Sequence, residues 1–471
     1  MPRATERTTY TCRECGHSTA RWEGRCSRCG QWNSLDEAAP VNVASGGATR
    51  NWRQRRQSPG ADAVELPDLP ASTTPRLQTG MGEVDRVFGG GLVPGSTALI
   101  AGDPGVGKST LLLQVAAALA GRHGPVIYAT GEESLEQVRM RAERLGIRGD
   151  GVYMVATGEV SDVAAHIAHL KPSMVVVDSI QTATHADSDS GAGTVTQIRE
   201  CAAILAAHAR AHESSLLLAG HVTKEGNIAG PRVLEHAVDV VMQMEGETGG
   251  TLRLLHGIKN RFGPTDEVGV FEMRGDGLAE VADPSQCFLA QRQASSPGSA
   301  VATVMEGTRP ITVEIQALVT PSVLPSPRRV ATGVDMARLH LIVAVLSKRL
   351  RLPVAAQDLV VNVAGGLRVR EPAADLAIAL AIISSFFDRP MEPGMAASGE
   401  IGLGGELRGV PHAGRRVAEA ARLGFNACLI PSSAADLDGG VRIVRPVSTV
   451  ADAVKQAVPG AFDIRDRDSG E

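Results

Sequence analysis

One stretch of nine residues has the types and spacing needed to bind a triphosphate. The stretch is GDPGVGKST, residues 102–110, and it matches the pattern G-x-x-x-x-G-K-[ST]. Glycines let such a loop curl until its backbone N–H groups point at an anion, and the amino end of the following helix adds a positive field. Lys108 would reach the β- and γ-phosphates of ATP, and the Ser109 hydroxyl would bind Mg²⁺. The predicted nucleotide-binding residues are Gly102, Asp103, Pro104, Gly105, Val106, Gly107, Lys108, Ser109 and Thr110.

Three carboxylates and one histidine follow short apolar segments downstream of this loop. Asp178 ends SMVVVD, where its carboxylate could accept a hydrogen bond from a Mg²⁺-bound water; a plain turn residue is the alternative. Glu132 and Glu133 lie in the turn ATGEES, and one of them could deprotonate the attacking water, with Glu133 slightly preferred. The alternative is that both carboxylates have no catalytic role and only interact favourably with the positive amino end of the following helix. His221 ends SLLLAGH and could contact the γ-phosphate, or be an ordinary strand-end histidine.

Two cations lie two residues apart in the stretch GIKNRFG. On a strand, Lys259 and Arg261 would project from the same face. The chain's own phosphate loop already has Lys108, so it does not need this second pair. We expect the pair to act in trans, on the γ-phosphate bound by a neighbouring subunit. The alternative is an exposed strand that carries ordinary surface charges.

Four of the seven cysteines fall within the first 29 residues, as two C-x-x-C pairs that are each followed by glycine. Cys12 and Cys15 form the first pair, and Cys26 and Cys29 form the second. Four thiolates on two such turns can surround one tetrahedral Zn²⁺. A redox pair is the alternative, but it usually lies at the start of a helix in a βαβ unit, which is missing here. The spacing therefore predicts a C4 zinc site.

Charge is unevenly distributed along the 471 residues. The net charge is −5, whereas the first 60 residues carry ten arginines and only five acidic residues, so the remainder is −10. This balance excludes a uniformly basic nucleic-acid binder. The apolar run LAIALAIISSFF is too short to cross a membrane, so no membrane partner is expected. The first residues lack an apolar signal core, which predicts a cytoplasmic protein.

Hydrophobic patterns divide the chain into α/β segments. Apolar strands alternate with helical patterns over residues 75–282, which predicts an ATPase domain with a parallel sheet covered by helices. The cysteine module, residues 8–35, precedes it, followed by a linker, residues 36–74, rich in Ala, Gly, Pro, Ser and Arg. A second linker, residues 283–299, leads to another α/β domain, residues 300–459. In that domain we expect strands near ITVEIQALV, LVVNVAG and ACLIP, and helices near DMARLHLIVAVLSKRL and ADLAIALAIISSFF.

The motifs together resemble one known family. In order along the chain, the paired C-x-x-C motifs, GDPGVGKST, TGEES, VVVDSIQ, GHVTKEG, AGPRVLEH and KNRFG are similar to those of the bacterial RadA (Sms) recombination ATPases. The likeness covers nearly the whole chain, and KNRFG is its most specific motif. It implies a RecA-like motor that forms a homo-hexamer, binds single-stranded DNA and promotes branch migration of recombination intermediates in DNA repair, with the RecA recombinase as partner. In the family both cations of KNRFG support function, which here are Lys259 and Arg261.

The last domain resembles the proteolytic domain of Lon but lacks its catalytic pair. Lon-type hydrolysis uses a serine and a lysine that serves as its base. Here the corresponding stretches are EPAADLAIAL and HAGRRVAEAARLGF, which place Ala373 at the serine position and Gly414 at the lysine position. We therefore expect an inactive, Lon-protease-like domain, and the family resemblance implies that it is a structural scaffold for the ring that also holds DNA.

Positive residues that could neutralise DNA phosphates are few. By likeness to RecA-type rings, the segments THADSDSGAG and VTKEGNIAGPR would line the central hole, and only the second has cations, Lys224 and Arg232. Lys348 and Arg349 belong to a further basic cluster in the last domain, although charged helix ends are usually just solvated. In a sixfold ring, even a few cations would concentrate along one channel.

Two rival functions share part of these motifs. A ring ATPase of the KaiC kind, acting as a regulatory phosphotransferase, shares the phosphate loop and the paired glutamates. An ATP-dependent protease shares the phosphate loop and a Lon-like domain, but the missing serine and lysine argue against it. The prediction is an ATP hydrolase that requires ATP, Mg²⁺ and Zn²⁺.

Overall fold

The computed structural model describes two separate compact units, residues 1–73 and 74–471. Within the first unit it describes residues 9–12, 18–19, 24–25, 29, 31 and 35–38. Within the second it describes residues 75–188, 190–221, 234–246, 250–293, 295–434 and 443–462.

The first unit contains a three-stranded antiparallel sheet. Its strands are β1 (Thr9–Cys12), β2 (Ser18–Thr19) and β3 (Leu35–Ala38), in the order β2-β1-β3. Cys12 pairs with Leu35, so β3 returns alongside the first cysteine, and Cys29 lies in an exposed turn. Cys15 and Cys26 lie outside the described residues. The sheet therefore brings the two ends of the cysteine segment together.

A nine-stranded sheet forms the centre of the second unit. Its order is β12-β11-β10-β9-β4-β8-β7-β5-β6, in which β4 to β9 pair in parallel and β9 to β12 pair antiparallel. The strands are β4 (Thr97–Gly102), β5 (Val126–Thr130), β6 (Val152–Ala156), β7 (Met174–Asp178), β8 (Ser215–His221), β9 (Val240–Gly246), β10 (Leu252–Asn260), β11 (Val268–Arg274) and β12 (Gly277–Glu280).

Helices cover both faces of the parallel strands. They are α1 (Gly82–Val87), α2 (Lys108–His123), α3 (Leu135–Arg144), α4 (Val160–Leu170) and α5 (Val195–Ala211). Neighbouring strand residues alternate between two cores, because successive side chains of a strand point to opposite faces. Tyr128 packs in the core with α1 and α2, whereas Ile127 packs with α4 and α5. The sheet is therefore buried on both faces, as the near-continuous apolar strands predict.

The last domain contains smaller sheets and a central helix. Its sheets have the orders β13-β14-β16-β15, β17-β20-β21 and β18-β19. The strands are β13 (Ser299–Glu306), β14 (Arg309–Pro321), β15 (Arg329–Thr332), β16 (Gln357–Val363), β17 (Met395–Ala397), β18 (Glu400–Ile401), β19 (Leu407–Arg408), β20 (Ala427–Pro431) and β21 (Val444–Val447). The helices are α6 (Pro284–Leu289), α7 (Met336–Arg349), α8 (Asp375–Phe386), α9 (Ala413–Arg422) and α10 (Val450–Ala457).

The most apolar segment of the chain is a buried core helix. Ten of the twelve residues of α8 are buried, and they pack against β13 and β14. Among the residues that the structure describes, none of the helices combines the length and the apolar character of a membrane span.

The segment 283–299, predicted to be a linker, is partly helical and packed. Asp283 caps α6 by accepting a hydrogen bond from the Gln286 N–H, and Pro284 occupies its first turn, where no N–H is needed. Phe288 is buried in the core of the last domain. The proline and serine residues of segment 283–299 therefore mark the start of a helix and not an extended linker.

A buried ion pair joins the last domain to helix α1 beside the nine-stranded sheet. Arg309 at the start of β14 donates to the Glu83 carboxylate on α1 at 2.5 Å, and the two side chains are only 12% and 7% exposed. Glu83 also accepts a hydrogen bond from the Val270 N–H on β11 at 2.9 Å. Three elements therefore meet at a single carboxylate.

A second buried ion pair lies between the two stretches that correspond to the Lon catalytic pair. Ala373 is buried, whereas Gly414 lies on an exposed position of α9. Between them, Arg416 of α9 donates to both oxygens of Glu371 at 2.6 Å. Arg416 also donates to the Thr303 carbonyl at 2.8 Å, and its side chain is 1% exposed. This region is therefore filled by a buried cation that donates four hydrogen bonds.

Replacing Arg416 with alanine should destabilise the last domain strongly. The change removes the cation from the Glu371 carboxylate, which is 23% exposed and keeps the Met305 N–H; because breaking a buried ion pair costs about 3–5 kcal/mol, we expect a loss near the lower end of that range. Arg415→Ala is the matched control, because Arg415 is exposed on the same helix and its loss should cost about 0.5 kcal/mol or less. Urea unfolding of the two variants measures the difference. Equal unfolding free energies for both variants would contradict the structural role of Arg416.

Candidate nucleotide-binding site

The strand order brings the predicted site residues to one edge of the sheet. Strand β8 lies between β4 and β7, and β7 lies next to β5. In the register of these strands, Gly102 is opposite His221 and Thr130 is opposite Asp178. Since the strands are parallel, their carboxyl ends share an edge, which is where ligands bind in open α/β sheets.

The phosphate loop has the backbone geometry that its glycines predict. Gly105 and Gly107 have φ angles of 77° and 115°, a region that favours glycine. A Cβ atom on Gly102 would lie 2.5 Å from the Met244 carbonyl oxygen, so the loop passes directly against β9. No side chain caps the start of α2, so the N–H groups of its first turn face the loop. The loop and helix start therefore form an anion-binding concavity.

Lys108 is buried at the centre of this edge. Its ammonium donates to the carbonyls of Gly102 at 2.8 Å and Asp103 at 3.0 Å, and it lies 3.2 Å from Nδ1 of His221. Burial lowers the pKa of Lys108, while the negative charges of Asp178, Glu132 and Asp103 act against that shift. The Gly102 and Asp103 carbonyls and the His221 ring thus hold the Lys108 ammonium at the edge where a bound phosphate would lie.

His221 connects Lys108 to Glu132. Because an ammonium can only donate, Nδ1 of His221 accepts and the ring proton lies on Nε2. That Nε2 is 3.3 Å from Oε1 of Glu132, and the Ser179 hydroxyl donates to the same oxygen. The side chains of His221 and Glu132 are 35% and 38% exposed, so a ligand at this edge can reach both. Sequence reasoning missed Ser179, although it directly follows Asp178.

Glu133 has a different environment from Glu132. Arg141 on α3 donates to Oε1 of Glu133, and the Glu133 N–H donates to the Thr130 hydroxyl at 3.1 Å. The slight preference for Glu133 is not supported by this arrangement, because its charge is already paired within its own turn and helix. Glu132 is the glutamate that lies beside Lys108 and His221.

Asp178 accepts a hydrogen bond that the sequence analysis did not anticipate. The Tyr128 hydroxyl on β5 donates to Oδ2 of Asp178 at 2.7 Å, and the aspartate is 8% exposed. Burial, and then the negative charge of Asp178, raise the pKa of Tyr128 well above its ordinary value. A tyrosine two residues before the end of the neighbouring strand was the available signal, but its use required the strand order.

Lys259 and Arg261 lie at the opposite edge of the sheet from the phosphate loop. Lys259 donates to the carbonyls of Glu235 at 2.5 Å and Val238 at 2.8 Å, and Arg261 donates to Asp239 at 3.1 Å. Asp239 accepts the N–H of Thr97, the first residue of β4. The phosphate loop begins at Gly102, the last residue of that strand, which is five residues or about 16 Å from Thr97.

The predicted DNA-contact residues are only partly described. Lys348 and Arg349 are exposed in the last turn of α7, where their positive charges interact favourably with the helix dipole. Arg349 also donates to the Leu403 carbonyl at 3.1 Å. Lys224 and Arg232 lie outside the described residues.

A cavity of about 380 Å³ lies between β9, β10 and the last domain. Its lining includes Gly102 and Asp103 of the phosphate loop, whose carbonyls accept from Lys108, but not Lys108, His221, Glu132 or Asp178 themselves. Burial raises the pKa of Glu306 in this cavity to about 7, while the charge of Arg370 acts against the shift. Arg370 donates to Glu245 across the cavity at 3.2 Å.

Comparisons with known proteins identify the family. The family described as "AAA domain" matches residues 61–227, "Rubredoxin metal binding domain" matches residues 10–37, and "Subunit ChlI of Mg-chelatase" matches residues 311–434. The DNA repair protein RadA of Bacillus subtilis is 45% identical over 466 residues, which cover 97% of this chain and 100% of that protein. The chain belongs to the RadA family.

Other RadA proteins match to a similar extent. RadA of Mycolicibacterium smegmatis is 45% identical over 96% of each chain, and RadA of Brucella abortus is 44% identical over 97% of this chain and 99% of that protein. Among solved structures, the ATPase domain of G40P matches 44% of this chain and 92% of that chain with a TM-score of 0.39 at 14% identity, too weak to add to the assignment. The predicted fold class of this RadA family member is confirmed: a zinc-binding module, a P-loop ATPase domain and a further α/β domain.

Replacing Gly107 with alanine should impair the phosphate loop. A side chain at φ 115° costs about 1–2 kcal/mol, and the new Cβ would also lie 2.6 Å from Cε of Met273. Nucleotide affinity, measured with a fluorescent ATP analogue, should fall by roughly tenfold.

Gly121→Ala on the same helix is the control, because its added Cβ meets no atom within 4 Å and alanine favours a helix by about 1 kcal/mol. It should keep full affinity. If both variants bind nucleotide like the unchanged protein, the loop does not require its left-handed glycine.

Proposed function

We propose that this RadA family member is a DNA-dependent ATPase that binds single-stranded DNA and promotes branch migration of recombination intermediates. The observation that carries the proposal is the cluster of Lys108, His221, Glu132 and Asp178 at one sheet edge. A phosphate-binding lysine, a metal-directed carboxylate and an accessible base are the parts that hydrolysis of a triphosphate needs.

Binding of ATP is assigned to the loop and the residues around it. The N–H groups of the loop and of the first turn of α2 bind phosphate oxygens, and Lys108 neutralises the β- and γ-phosphates. Ser109 and Asp178 suit Mg²⁺, which prefers oxygen donors, and Tyr128 occupies only one oxygen of Asp178. When bound, Mg²⁺ neutralises the charge that develops between the phosphates.

Glu132 is the residue that we assign to water activation. Its carboxylate is exposed to the ligand edge, and Ser179 orients it by donating to Oε1. His221 lies between this carboxylate and Lys108, so a γ-phosphate that attracts Lys108 also changes the partners of His221. The hydrogen bonds of His221, at the end of β8, thereby respond to the binding of the γ-phosphate.

Lys259 and Arg261 are proposed to complete the site of a neighbouring subunit. Arg261 donates to Asp239, which accepts the N–H of Thr97 about 16 Å along β4 from the phosphate loop, and the Lys259 ammonium donates to the Glu235 and Val238 carbonyls that precede β9. A head-to-tail ring would place the amino edge of one sheet against the carboxyl edge of the next. We propose that this ring is a homo-hexamer.

The remaining proposals concern DNA contacts, the protein partner and zinc. Lys224, Arg232, Lys348 and Arg349 are proposed to contact DNA phosphates. The protein is proposed to act in the cytoplasm with the RecA recombinase. Zn²⁺ fits the four thiolates of Cys12, Cys15, Cys26 and Cys29, and we propose that it stabilises the small N-terminal module.

The last domain is proposed to be a scaffold without peptidase activity. Ala373 has no nucleophile, and the neighbouring Arg416 is fixed by Glu371 and the Thr303 carbonyl. Neither a base nor a nucleophile of the Lon type is present in this region.

ATP turnover with and without single-stranded DNA tests the proposed function. We expect DNA to stimulate turnover in the unchanged protein. Glu132→Gln should lower turnover at least 100-fold and keep nucleotide affinity, because a general base is lost while the phosphate contacts remain. Glu133→Gln is the control and should lower turnover less than fivefold, since its carboxylate is paired with Arg141.

Turnover that DNA does not stimulate would favour a phosphotransferase of the KaiC kind. A larger loss in Glu133→Gln than in Glu132→Gln would overturn the assignment of the base.

Mixed rings test the action in trans. Arg261→Ala should keep nucleotide binding and lose roughly 10³-fold in turnover, the scale of an arginine finger. Lys108→Ala should lose both. Rings that contain both variants should regain turnover wherever an intact loop faces intact Lys259 and Arg261. If such rings form and remain as inactive as either variant alone, the cations do not act across the subunit boundary.

A further inference from the structure

We propose that Tyr128 is a positioning residue for Mg²⁺ binding, and that it acts by fixing the orientation of the Asp178 carboxylate. The inference rests on the proposed function, in which Asp178 binds the metal or one of its waters. It concerns a residue outside the phosphate loop and outside the known motifs of the chain.

The geometry places one hydrogen bond on one side of the carboxylate. The Tyr128 hydroxyl donates to Oδ2 of Asp178 at 2.7 Å. Tyr128 lies on β5 and Asp178 ends β7, and the two strands are direct neighbours in the sheet. A bond to Oδ2 limits rotation of the carboxylate about its last torsion, which is otherwise broad and soft. Oδ1 is then left for the metal or its water.

Tyr128 itself cannot easily move. Its side chain is completely buried, and it packs in the core with α2, the helix that begins with Lys108 and Ser109. The Tyr128 side chain is therefore held against α2, the same helix that continues from the phosphate loop. Partners that orient metal-binding carboxylates in this way typically change metal affinity by 10- to 100-fold when they are removed.

The remaining tyrosine of the sheet provides a matched control. Tyr153 lies on the edge strand β6 and is 48% exposed. Tyr153→Phe removes the same hydroxyl from the same sheet without affecting Asp178. Tyr128→Phe removes a single oxygen and keeps the ring that fills the core.

The experiment is a Mg²⁺ titration of the full chain with two readouts. Affinity for a fluorescent ATP analogue is measured in EDTA and at increasing Mg²⁺, and ATP turnover is measured over the same range. We expect Tyr128→Phe to keep the affinity in EDTA within twofold and to need about 10-fold more Mg²⁺ for half of the maximal effect in both readouts. Saturating Mg²⁺ should restore its turnover to within about threefold, because the catalytic groups are intact. Tyr153→Phe should follow the unchanged protein.

Either of two kinds of result would overturn the proposal, the second of which has two forms. One is an unshifted Mg²⁺ dependence in Tyr128→Phe. The other is an equal loss of affinity in EDTA and in Mg²⁺, or a protein that does not fold, since the hydroxyl would then support the fold instead of the carboxylate.

Asp178→Asn separates this inference from the proposed function. If that variant keeps the normal Mg²⁺ dependence, the metal role of Asp178 itself is wrong. If it shifts the dependence and Tyr128→Phe does not, only the role of Tyr128 is wrong.

Discussion

The site depends on one constraint, the placement of β8 between β4 and β7. Parallel strands end at a common edge, and two of the pairs that form the site, β4 with β8 and β5 with β7, are neighbours in the sheet but not along the chain. The order places His221 directly beside the phosphate loop and Asp178 beside the turn that follows β5. Hydrogen bonds from Lys108 through His221 to Glu132 and Ser179 exist only because these strand ends meet. Without that order, the same residues would be separate surface groups.

Much of the fold and of the site can be predicted from local patterns, and the remainder cannot, for physical reasons. Lys108 and its loop follow from glycine spacing, and the positions of Asp178 and His221 follow from apolar strands that end in a polar residue. The slight preference for Glu133 over Glu132 is not supported by the contacts, because the two are neighbours in one turn and their partners lie after β7, on β8 and on α3, which local patterns do not reveal. Tyr128 was missed because its bond crosses from one strand to another.

Composition was also a poor guide where tertiary packing decides the structure. Residues 283–299 contain proline, serine and glycine, yet α6 forms there because Asp283 caps it and Phe288 gains a buried position. In the last domain, the missing catalytic pair predicted an inactive scaffold, with no indication of what occupies the region between the two stretches. Arg416 instead carries a dense set of hydrogen bonds in that region. A strong structural interaction therefore occupies this place, and tertiary contacts alone reveal it.

The length of β4 has a consequence for how sequences of this kind can vary. The strand runs from Thr97, which is bonded to Asp239 beside Arg261, to Gly102, which begins the phosphate loop. Inserting or deleting two residues would move one end by about 7 Å relative to the other, and a change of one residue would turn every following side chain to the wrong face. Surface loops of the domain can change length freely, because they do not set this spacing. The length of β4 therefore sets the distance between Asp239 and the phosphate loop, and we expect insertions and deletions to be excluded from residues 97–102.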